Sequence, residues 1–99
     1  MTAAERKRMR KLVEIGCIVC LTQSRGYVPP EIHHIVSGGR RIGHIYTIPL
    51  CTHHHKQCPA NSGEVGRHQN KAEFEILYGS EAELLEQVNG ILSEKGLSC

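Results

Sequence analysis

Tryptophan is absent from this chain and phenylalanine occurs once among 99 residues, so aromatic packing cannot carry its core. Hydrophobic residues make up 39% of the sequence, and a domain of this size buries a low fraction of its surface. An internal metal would supply what so thin a core lacks. No apolar run is long enough to span a bilayer. The basic N-terminus is not followed by an apolar stretch, so no secretory leader is expected. There is no internal repeat and no low-complexity tract. The five cysteines are an odd number, which argues against a pure disulfide framework. The expectation is a reducing, cytoplasmic compartment with thiols on metal, and a length sufficient for one domain, residues 1–99.

What is present is unevenly distributed. The net charge of +2 conceals nine Lys/Arg against three Glu in residues 1–56, and three against seven in residues 57–99. A basic half suits a polyanion such as nucleic acid, although a charge run is as readily a solvated face. Residues 3–15 are a helix-forming mix with Met9, Leu12 and Val13 at helical spacing, ended by Gly16. Cys17 to Cys20 form a knuckle. Glu31 to Val36 reads as a strand, broken by Ser37-Gly38-Gly39 and followed by a basic loop, 40–46, with Arg40, Arg41 and His44. Thr47 to Leu50 is a second extended segment. Thr52 can cap a helix beginning near His53, and 59–67 is loop. Lys71 to Tyr78 is helical with Phe74, Leu77 and Tyr78 on one side. Ser80-x-x-Glu83 opens a last helix through about Ser93, with Leu84, Leu85, Val88, Ile91 and Leu92 as its apolar stripe.

The chemistry is concentrated in cysteine and histidine. Cys17, Cys20, Cys51 and His54 give Cys-x2-Cys and Cys-x2-His, a tetrahedral donor set for one structural zinc ion. Cys58 is the main rival for the fourth position and His53 a weaker one; Cys99 is expected to be free. Several histidines remain. Neighbours in a strand point to opposite faces, so His33 and His34 cannot share one role unless the strand ends or bulges there. At the start of a helix, His54 and His55 diverge by about 100°, so one can face the knuckle and the other the strand. Two His pairs in this order build two metal sites back to back.

Glu31-Ile32-His33-His34-Ile35, a Gly-rich loop, Thr47-Ile48-Pro49-Leu50-Cys51 and His54-His55 together resemble the HNH (ββα-metal) endonucleases. Gly66-Arg67-His68, followed by Phe74 and Tyr78-Gly79, looks like the phage recombination enhancement function (Ref) branch. The resemblance covers roughly residues 15–80. It implies an α+β fold: a small zinc-stabilised, treble-clef-like ββα-metal core over 16–68, a basic N-terminal helix over 1–15 and C-terminal helices over 69–99. It also implies a DNA endonuclease that nicks or cuts nonspecifically, encoded by a phage or prophage and acting in the bacterial cytoplasm.

Residue by residue, His34 matches the general base, and His33 and His55 match ligands of a catalytic divalent ion. His68 matches the further metal histidine of the branch. Mg²⁺ or Mn²⁺ is the ion implied, and imidazole ligands also accept Ni²⁺ or Zn²⁺. Arg40 and Arg41 would hold backbone phosphates, with Lys56 or Arg67 as support. DNA, single- or double-stranded, and a recombinase filament are the implied partners, with no membrane and no small-molecule cofactor. The middle Asn of the HNH name is missing; His44, Tyr46 and Thr47 occupy its stretch. The competing reading is a non-catalytic zinc module for nucleic acid or protein. It needs only the zinc quartet and leaves His33, His34 and His55 without a task. A zinc hydrolase acting on another substrate would lack an acidic base, since Glu31, the nearby carboxylate, is expected to point away from the chemistry of His34.

Overall fold

Thr2 and Glu5 cap one another reciprocally, the Thr2 side chain accepting from the Glu5 N–H and the Glu5 carboxylate from the Thr2 N–H, and so fix the start of helix α1, Ala3–Ile15. The computed structural model describes residues 1–37, 39–41 and 43–94; Cys99, expected to be free, lies outside them. Helix α1 ends at Gly16, whose φ of 78° suits glycine and whose missing Cβ leaves room for the Val28 carbonyl. The chain then turns through Cys17 into α2, Ile18–Thr22. After an irregular stretch come β1, Glu31–His34, then β2, Val36–Ser37, β3, Arg40–Arg41, β4, Thr47–Leu50, and the single-turn helix α3, Thr52–His55. Helices α4, Lys71–Tyr78, and α5, Glu81–Glu94, follow.

Strands β1 and β4 pair antiparallel, with Glu31 opposite Leu50 and His34 opposite Thr47. The expected strand to Val36 divides at Ile35. Its second piece pairs instead with Arg40–Arg41, so part of the expected basic loop is a two-residue ribbon. All four residues of β4 are buried. Around it pack Leu12, Ile15, Ile18, Val19, Phe74, Leu84, Val88 and Leu92, and Cys17, Cys20 and Cys51 belong to the same cluster. The cysteines therefore complete the core. No helix among the described residues is long and apolar enough to cross a membrane.

Three local expectations shift. The buried face of α1 is Arg8, Leu12 and Ile15, while Val13 is half exposed. On α4, Phe74 is buried but Leu77 is 49% exposed. Thr52 is the first residue of α3 and not its cap, a position taken by Cys51; its hydroxyl donates to Glu31 Oε2 at 3.3 Å.

Arg8 explains the first shift. Its Nε donates to Thr47 Oγ1 at 3.1 Å, its Nη2 to the Thr47 carbonyl at 2.7 Å and its Nη1 to Asn89 Oδ1 at 2.9 Å, joining α1, β4 and α5. Truncation would strip buried acceptors of their donor, which is costlier than the net gain of an ordinary hydrogen bond. Arg8→Ala is expected to lower the unfolding free energy by about 2–4 kcal/mol. Urea unfolding of the zinc-loaded protein measures this, and a loss within experimental error of zero would contradict it.

Candidate metal centres and active site

The knuckle and the β4–α3 corner bring four donors together. Cys17 presents its sulfur beside a backbone fixed by the bond from its N–H to the Val28 carbonyl, and Cys20 accepts at its carbonyl from the Arg25 N–H. Cys51 and His54 arrive from the start of α3, where the His55 N–H reaches the Cys51 carbonyl at 2.8 Å. His54 Nδ1 lies 3.6, 3.5 and 3.2 Å from the sulfurs of Cys17, Cys20 and Cys51, and the Cys20 and Cys51 sulfurs are 3.8 Å apart. A tetrahedral zinc with bonds of about 2.3 Å to sulfur and about 2.0 Å to nitrogen sets its sulfurs roughly 3.8 Å apart and sulfur from nitrogen roughly 3.5 Å apart. The buried quartet fits a zinc ion. Burial pushes the Cys17 and Cys20 thiols up from their ordinary range, so it takes a bound cation to draw them to thiolates.

The rivals for the fourth position sit elsewhere. Cys58 is buried, but its thiol points to the His53 carbonyl at 3.5 Å, and His53 itself is exposed. A partner that the sequence reading missed completes the quartet from outside. Glu64 Oε1 accepts from His54 Nε2 at 2.9 Å, which leaves the Nδ1 lone pair facing the sulfurs. Burial raises the Glu64 carboxyl, but hydrogen bonds from Arg25, at 2.6 Å, and from His54 outweigh it, and the group is held below its ordinary value.

The second cluster shares the frame. His33 from β1, His55 from α3 and His68 from the following loop each offer a ring nitrogen, and these nitrogens lie within 4.8 Å of one another. The ring centroids are 5.2 Å apart for His33–His55, 4.8 Å for His55–His68 and 5.8 Å for His33–His68. Three imidazoles converging in this way fit a divalent ion with coordination positions left open. His54 and His55, adjacent in sequence, serve the two different clusters.

His68 reaches its place because Gly66 lets the loop lie against the end of α3. The Arg67 N–H donates to the His54 carbonyl at 2.8 Å and the His68 N–H to the His55 carbonyl at 3.1 Å. A Cβ on residue 66 would run into the Lys56 and His53 carbonyls.

Carboxylates stand behind two of these rings. His55 Nδ1 donates to Glu31 Oε1 at 2.9 Å. The hydrogen bond from His55 holds the Glu31 carboxyl below its ordinary value. His33 Nε2 donates to Glu81 Oε2 at 2.6 Å. Burial lowers the His33 imidazole, with Glu81 pulling the other way, so the ring favours the neutral form a metal ligand needs.

His34 leaves β1 on the face opposite His33 and is half buried. Its Nε2 shares a hydrogen bond of 3.2 Å with His44 Nδ1, and the two rings meet edge to face. Burial and the nearby Arg41 lower the His34 imidazole. Arg40 and Arg41 are exposed on the ribbon, and Lys56 is exposed, 3.6 Å from Glu31. Arg67 differs from the expectation. It is buried, bound to Glu81 at 3.0 Å and to Glu75 at 3.4 Å, and lies over the Phe74 ring. Its charge is paired with two carboxylates, while its buried Nη1 makes no hydrogen bond. A cleft of about 380 Å³ opens beside the second cluster, lined by His33, Val36, Arg67, His68, Lys71 and Glu81.

A family model described as recombination enhancement, RecA-dependent nuclease matches residues 1–93. No curated protein matches the chain.

Gly66→Ala is expected to push the loop away from α3. Overpacking of this kind costs about 1–3 kcal/mol, and it would draw His68 from His33 and His55. Urea unfolding and a Mn²⁺ titration of the zinc-loaded protein read the two effects. Unchanged stability together with unchanged Mn²⁺ affinity would contradict the account.

Proposed function

The chain belongs to the recombination-enhancement family of RecA-dependent nucleases, and from that premise we propose that it is a ββα-metal (HNH) endonuclease hydrolysing DNA phosphodiester bonds by nicking or nonspecific cutting. The observation that carries this reading is the second cluster, His33, His55 and His68, since a module that only needed a zinc staple has no use for it. The order of β1, β4 and α3 agrees with a ββα core over 16–68, with α1 and the pair α4 and α5 flanking it in a single domain.

In this reading His34 takes a proton from the attacking water. A neutral imidazole suits that task near neutral pH, and burial and Arg41 favour the neutral ring. His44, in the stretch where the family's Asn would lie, fixes the His34 ring through the 3.2 Å contact. As the water oxygen bonds to phosphorus, the P–O bond to the leaving strand breaks. His33, His55 and His68 would hold a divalent ion, Mg²⁺ or Mn²⁺, which when bound polarises the scissile phosphate and stabilises the leaving oxygen. Cys17, Cys20, Cys51 and His54 would hold a structural zinc that keeps this frame folded. Arg40, Arg41 and Lys56, exposed and cationic, meet backbone phosphates and fix the register of the strand without reading sequence. RecA, named in the family description, is the partner on which cutting depends in this reading, engaged as a recombinase filament in the cytoplasm of a bacterium carrying the phage or prophage.

The test is cleavage of supercoiled plasmid with Mg²⁺ and with Mn²⁺, alone and on RecA filaments, by the wild type and by zinc-loaded His34→Ala. Loss of a general base slows hydrolysis by about 10²- to 10⁴-fold, so nicking should all but vanish in the variant. Equal cutting by the two proteins would contradict the assignment of His34.

A further inference from the structure

Glu81 lies outside the strand–helix frame that carries the histidines. It is the first residue of α5, and its position is fixed twice. The Ser80 N–H donates to Glu83 Oε1 at 3.0 Å and the Glu83 N–H to Ser80 Oγ at 3.2 Å, a reciprocal cap that sets where the helix begins. Leu84, Val88 and Leu92 then bury the helix in the core. From this anchored end the Glu81 carboxylate spans two groups, His33 Nε2 at 2.6 Å and Arg67 Nη2 at 3.0 Å. The guanidinium side chain is 6% exposed and the carboxylate 19%, so each charge has its partner largely away from water.

We propose that Glu81 is a positioning residue for the second metal site. It holds His33 as the Nε2–H tautomer with Nδ1 free to bind, and the buried Arg67 holds Glu81. A carboxylate can only accept, so the 2.6 Å contact assigns the proton to Nε2. The lone pair is left on Nδ1, as Glu64 leaves it on Nδ1 of His54 and Glu31 leaves it on Nε2 of His55. Helix α5 thus contributes to the metal site itself, through one side chain. Arg67 acquires a task as well: it keeps the carboxylate aimed at His33, with Glu75 at 3.4 Å as its second partner.

This inference rests on reading His33 as a ligand of the second ion, and the experiment separates the two. Zinc-loaded wild type, Glu81→Gln, Glu81→Ala and Glu75→Gln are titrated with Mn²⁺ by calorimetry, and nitrogen-15 imidazole spectra are recorded before Mn²⁺ is added. The wild type should show His33 as the Nε2–H tautomer. Removing an outer partner of a ligating histidine weakens metal binding by about 10- to 100-fold, so Glu81→Ala should lose that much and show mixed tautomers. Glu81→Gln, whose amide oxygen still accepts from Nε2–H, should keep the tautomer and lose less. Glu75→Gln, which touches Arg67 but not His33, should bind as the wild type does.

Wild-type binding with no loss in Glu81→Ala would overturn the inference. So would equal losses in Glu75→Gln and Glu81→Ala, because the effect would then come from the packing of Arg67. An Nδ1–H tautomer in the wild type overturns it even if both Glu81 variants fail to fold. A wild type that binds no second ion would remove the metal reading of His33 and the inference with it.

Discussion

Everything in this molecule depends on the meeting of the Cys17–Cys20 knuckle with the Cys51–His54 corner. A core with one phenylalanine and no tryptophan leaves β4 held mainly by aliphatic side chains, and the three cysteines belong to that core. A dication there would satisfy thiols that burial holds above their ordinary range. It would also lock α2 to the turn where α3 begins. Once that turn is fixed, the orientation of the next residue follows: His54 is committed to the sulfurs and His55 must face elsewhere. The place of His55 in the second cluster is therefore a geometric consequence of the first.

The same corner organises the charges. Glu64, Glu31 and Glu81 each take the outward N–H of one histidine, His54, His55 and His33, and each is paired in turn with a cation, Arg25, Lys56 or Arg67. The carboxylates orient the imidazoles, and the ring nitrogens of His33, His55 and His68 converge in the second cluster. On the other face of β1, the ribbon carries Arg40 and Arg41 into solvent, and His44 meets His34. The uneven charge of the sequence is resolved by these pairings: acidic residues of the C-terminal half reach back to histidines and an arginine of the metal frame.

Local pattern was enough for the three long helices and the Cys17, Cys20, Cys51 and His54 quartet, though it read the short helix α2 as a knuckle. Lys71–Tyr78 has its expected bounds, and the Ser80-x-x-Glu83 box opens α5. Cys-x2-Cys and Cys-x2-His name four donors that do converge. The failures share a cause, which is that distant partners overrode local spacing. Arg8 turned the buried face of α1 toward acceptors 39 and 81 positions away. Ile35 ended β1 because the next two residues found a partner in Arg40–Arg41. Arg67, expected to support phosphate contacts, is drawn inward by Glu75 and Glu81. Glu64 and Glu81 carry no motif, and only the folded chain brings them to their histidines.

X-ray absorption at the zinc edge, on protein given one and then two equivalents of Zn²⁺, tests the two-centre arrangement most directly. The first equivalent should show three sulfur ligands and one nitrogen. The second should add a shell of nitrogen and oxygen without sulfur. A first site with four sulfurs would place Cys58 in the cluster, and a protein saturated by a single equivalent would leave His33, His55 and His68 without an ion; either result would contradict the account.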